Sequence, residues 1–337
     1  MGGVSSIGMS VPEIYNSLRE GRSGIGQLEF PDITRLKVKT GGQIKNFDPS
    51  NYFELKQVSR MDRFSQFALL AAKEAITNSG LENCNEEWPE NAGVILGSSI
   101  GGIETINYSY KQVFEKGHNR LHPLTIPKIM NNSATSLISI EYNIQGPSFT
   151  VSSACSSANH AMGIAYETIK SGKSKILITG GSESFLSFGG IKPWESLRVL
   201  SQSKCRPFSR GRDGLVHGEG AGVFVFESLA SAKKRKADII AEVVGFAMSS
   251  DASDLIKPNN IGPQKALEGV LKDAMINKTD VTYINAHGTG TMLNDKMESE
   301  AINQVFGQYS RYIKVSSTKA MHGHLIGCLL YTSDAAD

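Results

Sequence analysis

The stretch from Thr150 to Gly172, TVSSACSSANHAMGIAYETIKSG, places one thiol, Cys155, among Ser and Ala where a β-rich run gives way to a helical one. A free cysteine is most often a small buried hydrophobe. As a thiolate it is a nucleophile, although a thiol with an unperturbed pKa of about 8.5 is mostly protonated at neutral pH. A helix start offers a positive dipole end and unpaired N–H groups, and both favour the anion. No Asp, Glu, Lys or Arg adjoins Cys155 in the chain, so any further activation must come from distant residues.

Later residues could supply it. His287, in NAHGTGT, follows an apolar run and opens a polar Gly/Thr loop. Such a loop histidine commonly does no more than bond to backbone, and the same holds for His324 in KAMHGHLIG. His322 and His324 form an HxH pair, but no third ligand is evident, so a metal site is the weaker reading. Lys319 would ordinarily be a solvated cation. Asp295 and Glu298, in NDKMESE, read as acids in the first turn of a helix, where they favour its N-terminus.

The elements that would carry these residues alternate in type. Helices are expected at IYNSLREG, at Asp62–Gly80, near 104–115 and 134–142, and at SSANHAMGIAYETIKSG. Further ones are LASAKKRK, GPQKALEGVLKDAMI and DKMESEAINQVFG. Strands are expected at NAGVILGSS, PSFTVSSA, KSKILITGG, AGVFVFES, ADIIAEVVGFAMSS, VTYINAHG and YIKVSSTKA. Residues 184–220, rich in Gly, Pro and Arg, read mostly as loop. Strands alternating with helices imply an α/β fold. Three apolar strands end in TVSSACSS, TYINAHGTGT and IKVSSTKAMHGH, and ligands of α/β proteins lie beyond the carboxyl ends of strands. Cys155, His287 and His324 would each be presented from such an end.

Composition narrows the classes. The 337 residues carry 35 basic and 33 acidic side chains, which argues against a general nucleic-acid binder. The four cysteines are far apart with no CxxC pair, so neither zinc nor a disulfide framework is suggested and a cytoplasmic location fits. No apolar run is long enough to span a membrane, and the N-terminus lacks a signal-peptide layout. GGSESFLSFGG is Gly-rich but fits neither GxGxxG opening a helix nor a P-loop.

Taken together, SSACSSA, RPFSRGRDGLVHGEGAG, NAHGTGTMLND and SSTKAMHGHLIG are similar to the ordered motif set of the thiolase-fold condensing enzymes. The chain resembles the β-ketoacyl-[acyl carrier protein] synthases, most closely the type II elongating synthase, from about Val4 to Gly327. The resemblance implies two related α/β halves in a layered αβαβα arrangement, with the second half incomplete. It divides the chain into 1–236, carrying the nucleophile, and 237–327, carrying both histidines.

The resemblance also implies roles. Cys155 would take an acyl chain from acyl carrier protein as a thioester. His287 and His324 would stabilise the enolate formed when malonyl-carrier protein loses CO2, with Lys319 orienting His324. Asp295 and Glu298 would support that network, Thr289 and Thr291 would hold the phosphopantetheine arm, and Ile100 would limit acyl-chain depth at a dimer interface. Lys56, Arg60, Arg120 and Arg206 would steer the acidic carrier protein. No cofactor or metal is implied, and a homodimer is.

The chain departs from the family pattern in places. Ser153-Ala154-Cys155-Ser156 replaces the usual Thr-Ala-Cys-Ala or Thr-Ala-Cys-Thr, His322 stands where Thr or Ile is common, and Ile256 replaces a hydroxyl residue. The Trp194–Leu197 run resembles nodulation-type and specialised-lipid synthases. The family's first apolar strand is expected to be missing. Residues 328–337, CLLYTSDAAD, are expected to be an adapter-derived tail that replaces a glycine-rich Phe loop, which would leave the chain as written poorly folded and inactive. Competing readings are a thiolase, which needs a second catalytic Cys, a chain-length factor, which has typically lost Cys155, and a ketosynthase belonging to a polyketide assembly.

Overall fold

The computed structural model describes residues 1–84, 88–254 and 256–328. Its strands are β1 (Gly2–Ser5), β2 (Gly26–Gln27), β3 (Thr40–Gly41), β4 (Ala92–Gly97), β5 (Ser148–Val151), β6 (Ile176–Glu183), β7 (Gly220–Glu227), β8 (Tyr283–Asn285) and β9 (Lys314–Ser316). Five of them form a mixed sheet in the order β1-β7-β6-β4-β5. β4 runs parallel to both β5 and β6, whereas β7 is antiparallel to β6 and β1. All six residues of β4 and all eight of β6 are buried, as expected of strands covered on both faces.

Helices cover both faces, Arg63–Asn78 and Ser133–Glu141 on one and Ser157–Lys170 on the other. Helix Arg63–Asn78 starts where the Asp62 carboxylate accepts the Phe64 N–H. Its Phe64, Phe67, Ala71, Ala72 and Ala75 pack on Val94, Leu96, Ile178 and Val223. Truncating a buried Phe of this kind to Ala costs about 3–5 kcal/mol. Helix Ser157–Lys170 covers the other face, with Ala161 and Ala165 on Ile95 and Leu177. Alanine lets this helix lie close to the strands whose ends it shares with the site.

A second unit follows. β8 and β9 pair in parallel, and helices Ile261–Ala274 and Met292–Phe306 close Leu271, Ile302, Val305, Phe306 and Ile313 into a separate apolar cluster. No helix among the described residues is long and apolar enough to cross a membrane.

Three expectations need correction. The first strand is present: Gly2–Ser5 pair with β7, Gly2 opposite Val223 and Val4 opposite Ala221. Gly2 allows a close approach, because a Cβ on it would lie 2.0 Å from the Ala71 carbonyl oxygen. Residues 184–220 contain a ten-residue helix, Phe188–Leu197, started by the Ser187 hydroxyl accepting the Gly190 N–H. Two glycines and Pro193 inside it disguise the helical period. Residues 237–250 alternate like a strand but join no ladder among the described residues, and Ile239, Ile240, Val243, Val244 and Met248 are exposed. Alternation favours a strand, yet only a neighbouring strand can take its backbone groups.

Candidate active site

The turn after β5 holds Cys155 in place. Ser157 Oγ accepts the Ser153 N–H at 2.9 Å and donates to the Ala154 carbonyl at 2.7 Å. Ser153 Oγ and His160 Nδ1 are 2.7 Å apart, which ties the turn to the next coil of the helix. Ala154 lies in the left-handed region at φ 51°, a conformation costly for a residue with a Cβ. Cys155 therefore leaves the strand at a sharp angle, just ahead of the helix that begins at Ser157. Burial pushes its thiol up to about 11, Lys319 pulls it down and Glu183 pushes it further up. The helix start expected to favour the thiolate is outweighed by desolvation, so the resting group is a thiol.

Both histidines reach this thiol. The ligand atoms of Cys155, His287 and His324 all lie within 4.8 Å of one another. His324 Nε2 is 3.2 Å from Cys155 Sγ, and the two imidazoles meet edge to face with centroids 5.4 Å apart. Burial, then Lys319, lowers His287 to about 3. Burial, His287 and Lys319 hold His324 well below its ordinary value. Both rings are neutral at pH 7. The Ile326 N–H bonds to His324 Nδ1 at 3.0 Å, so Nδ1 is an acceptor and the proton resides on Nε2. His324 faces the thiol as a donor.

The second unit places these groups by backbone bonds. Glu298 accepts the His287 N–H at 2.6 Å and the Gly288 N–H at 2.8 Å, fixing the loop that leaves β8. Gly288 turns at φ 41°, and a Cβ there would lie 2.5 Å from Ser317 Cβ. Asp295 is buried and bridges two loops, accepting from Phe208 N at 2.7 Å and Gly290 N at 3.2 Å. Arg212 Nε lies 3.7 Å from Asp295. Thr289 and Thr291 share a 2.9 Å hydroxyl contact on the same loop. Lys319, expected from its type to be solvated, is only 2% exposed. Burial lowers it to about 8 against the opposing pull of Glu298, Cys205, Cys155 and Asp295.

Cys155, His287 and His324 form the one cluster among the described residues with the ligand atoms for a metal. The Lys319 ammonium acts on all three groups, and its like charge disfavours a cation there. The HxH pair does not form a site either, because His322 Nδ1 faces the Gly323 carbonyl at 2.8 Å and Nε2 the Thr318 hydroxyl at 2.9 Å.

Other expected residues lie further out. Ile100 follows β4 on a turn joined to the nucleophile turn by Ser152 Oγ donating to the Ser99 carbonyl. Lys56, Arg60 and Arg120 are exposed. Arg206 differs: it is half-buried and pairs with Asp213 at 3.1 Å, which reduces its free charge. Ile256 is exposed, and Leu329–Asp337 lie outside the described residues. Two buried residues near the site escaped the sequence reading. Glu183 ends β6 with no exposure, and His217 lies between Phe185 and Trp194 at 4.5 and 4.8 Å between centroids. Only the odd placement of a polar side chain beside a buried run marks them in the sequence.

A thiol facing two neutral imidazoles in an α/β fold is an arrangement suited to thioester chemistry. Comparison with known proteins gives the family. Residues 1–232 match the model of the beta-ketoacyl synthase N-terminal domain, and residues 240–329 that of the C-terminal domain. The chain belongs to the β-ketoacyl synthase family, whose thiolase-like fold it shares. It is 42% identical to nodulation protein E of Rhizobium sp. (strain N33) over 327 residues, covering 97% of this chain and 81% of that protein. It is 38% identical to 3-oxoacyl-[acyl-carrier-protein] synthase 2 of Staphylococcus aureus over 334 residues, covering 97% and 83%. Among solved structures, the ishigamide ketosynthase/chain length factor superposes with a TM-score of 0.92 at 31% identity, covering 98% and 81%.

Proposed function

We propose that Cys155, His287 and His324 carry out a decarboxylative Claisen condensation between an acyl chain and malonyl-carrier protein. Cys155 Sγ attacks the acyl-carrier thioester, the thiol proton leaves, and the carrier thiol departs protonated. Malonyl-carrier protein then loses CO2, and the electrons of the broken bond collect on the thioester oxygen as an enolate. The Nε2–H of His324 and an N–H of His287 donate to that oxygen, where fixed donors in a dry site act strongly. The enolate carbon attacks the Cys155 thioester, and the sulfur leaves and regains a proton. Lys319 supplies positive charge beside both steps, Glu298 and Asp295 hold the loops, and Thr289 and Thr291 offer hydroxyls to the pantetheine amides. The observation that carries this reading is the 3.2 Å contact of a donor-locked His324 with Cys155 Sγ.

Acyl carrier protein is the partner this reading requires. One solved relative is described as a type II polyketide carrier protein in complex with its ketosynthase (TM-score 0.87, 28% identity). A cytoplasmic homodimer belongs to the same proposal. β5 is a sheet edge, and Phe149 on it is exposed, as is Ile140 on the helix Ser133–Glu141 that packs on β5. The division into 1–236 and 237–327 is supported by the separate apolar clusters. The nodulation-type pathway is the second reading for the acyl substrate, favoured by the 42% identity.

A polypeptide of these 337 residues is inferred to be weakly active or inactive, because residues 237–250 leave five large apolar side chains in water. A cooperative thermal transition together with condensing activity in that polypeptide would contradict this. The central test is Cys155→Ser in the protein. The variant is expected to fold and to take up no acyl group by intact mass, and acyl-thioester mass on it sinks the assignment.

A further inference from the structure

One carboxylate touches both the turn that carries Ile100 and the loop that carries His324. Glu183, fully buried at the end of β6, accepts from Ser99 N at 2.8 Å, Ile100 N at 3.3 Å, Ser98 Oγ at 3.3 Å and the Ser99 hydroxyl. It also accepts from Gly327 N at 3.2 Å. Five donors exceed the roughly four lone-pair positions of a carboxylate, so the group is held from every side. The residue before Gly327 is Ile326, whose N–H bonds to His324 Nδ1 at 3.0 Å. The same loop is pressed on the sheet: a Cβ on Gly181 of β6 would lie 2.6 Å from the Gly327 carbonyl oxygen.

We propose that Glu183 is a positioning residue for the condensation. By holding Gly327 it keeps the Ile326 N–H on Nδ1, and so keeps the donor proton of His324 on Nε2. By holding Ser99 and Ile100 with the same carboxylate, it links the wall of the acyl pocket to the enolate donor. Filling of the pocket is then felt at His324 through one side chain. This second half rests on the reading of Ile100 as the pocket wall.

The test is Glu183→Gln in the protein. Glutamine keeps the shape but has one acceptor oxygen and points an NH2 at backbone N–H groups. Malonyl-carrier decarboxylation is expected to fall about tenfold to a hundredfold, the scale of a displaced catalytic group. Its dependence on the bound acyl chain should flatten, while alkylation of Cys155 by iodoacetamide should not fall, because loss of the Glu183 charge favours the thiolate. In protein labelled with 15N-histidine, the His324 ring signal, identified by its loss in His324→Gln, should move from the Nε2–H form toward a mixture of tautomers. A purely structural Glu183 predicts something else: decarboxylation and alkylation fall together, chain dependence is kept and the tautomer does not move. That result, or no change in any of the four, overturns the proposal.

If Glu183→Gln does not fold, Ser99→Ala removes one of the five donors. It should give the same pattern at smaller amplitude, and a flat result there also overturns the proposal. Ile100→Phe separates the two readings. Unchanged chain preference in that variant removes the pocket wall and with it the link, whereas the tautomer in Glu183→Gln still decides the clamp. A wild-type protein that decarboxylates nothing counts against the proposed function, and the tautomer signal again judges Glu183.

Discussion

His324 meets Cys155 with Nε2 at 3.2 Å while its other nitrogen accepts the Ile326 N–H, so the ring gives a hydrogen bond toward the sulfur and takes none from it. A fixed donor of this kind is worth about a hundredfold to a thousandfold in rate. His324→Ala should therefore lower malonyl decarboxylation by about that factor. His324→Gln, which restores an N–H, should recover part of it. Acylation of Cys155, followed by intact mass, should fall less. An alanine variant that decarboxylates normally would show the donor to be idle.

The thiol and the lysine beside it set a pH dependence. Burial holds Cys155 up at about 11 and Lys319 down at about 8. Only the thiolate alkylates, so its rate with iodoacetamide should climb steadily between pH 7 and pH 10 instead of levelling off near the ordinary thiol range of about 8.5. Lys319→Ala removes a charge that favours the thiolate, so alkylation should be slower throughout the range below pH 8. A plateau near pH 7 would contradict the buried thiol.

A second titration lies away from the chemistry. Burial, with Glu219 and Asp62 nearby, raises Glu104 to about 8, against Arg63 and Ser184. An acid whose folded pKa is raised binds more protons folded than unfolded between its two values. Its contribution is present below the unfolded value of 4.5 and is lost as pH rises through about 8. Glu104→Gln should then raise the melting temperature relative to the parent at pH 8.5 and do little at pH 4.5. The neighbouring Glu219 holds Arg63 at 2.7 Å, and Glu219→Ala should cost about 3–5 kcal/mol in urea unfolding, since a guanidinium is left without its partner.

Lys56 and Arg60 are exposed on one short stretch and should act on encounter. Reversing both charges should raise KM for acyl carrier protein several-fold at low salt and leave kcat unchanged. The difference should shrink at high salt, where exposed charges are screened. Arg206→Ala should have a smaller effect, because Asp213 already pairs with it. Equal salt dependence for all three would contradict this ranking.

Much of the architecture is legible in local patterns. The apolar run at β4, the Gly21 stop at φ 71° and the Asp62 cap each follow from chemistry within a few residues. So does the placing of Cys155 and His287 just past strand ends, whereas His324 follows a short helix, Lys319–His322, eight residues beyond β9. Their convergence does not follow from spacing, because Cys155 and His324 are 169 residues apart. The thiol's protonation was also hidden: a helix start is visible in sequence, but the burial that outweighs it is a property of the packed whole. The strand Gly2–Ser5 and the helix Phe188–Leu197 went unread for a related reason. Glycine and proline argue locally against both elements, and tertiary contacts decide otherwise.

The 169-residue separation of Cys155 from His324 also gives the site an order of assembly in time. A ribosome working at about 5–20 residues per second needs roughly 8–34 s to travel from one codon to the other. For that interval Cys155 has no His324 beside it, so the donor that faces the sulfur is added only when the later loop is made.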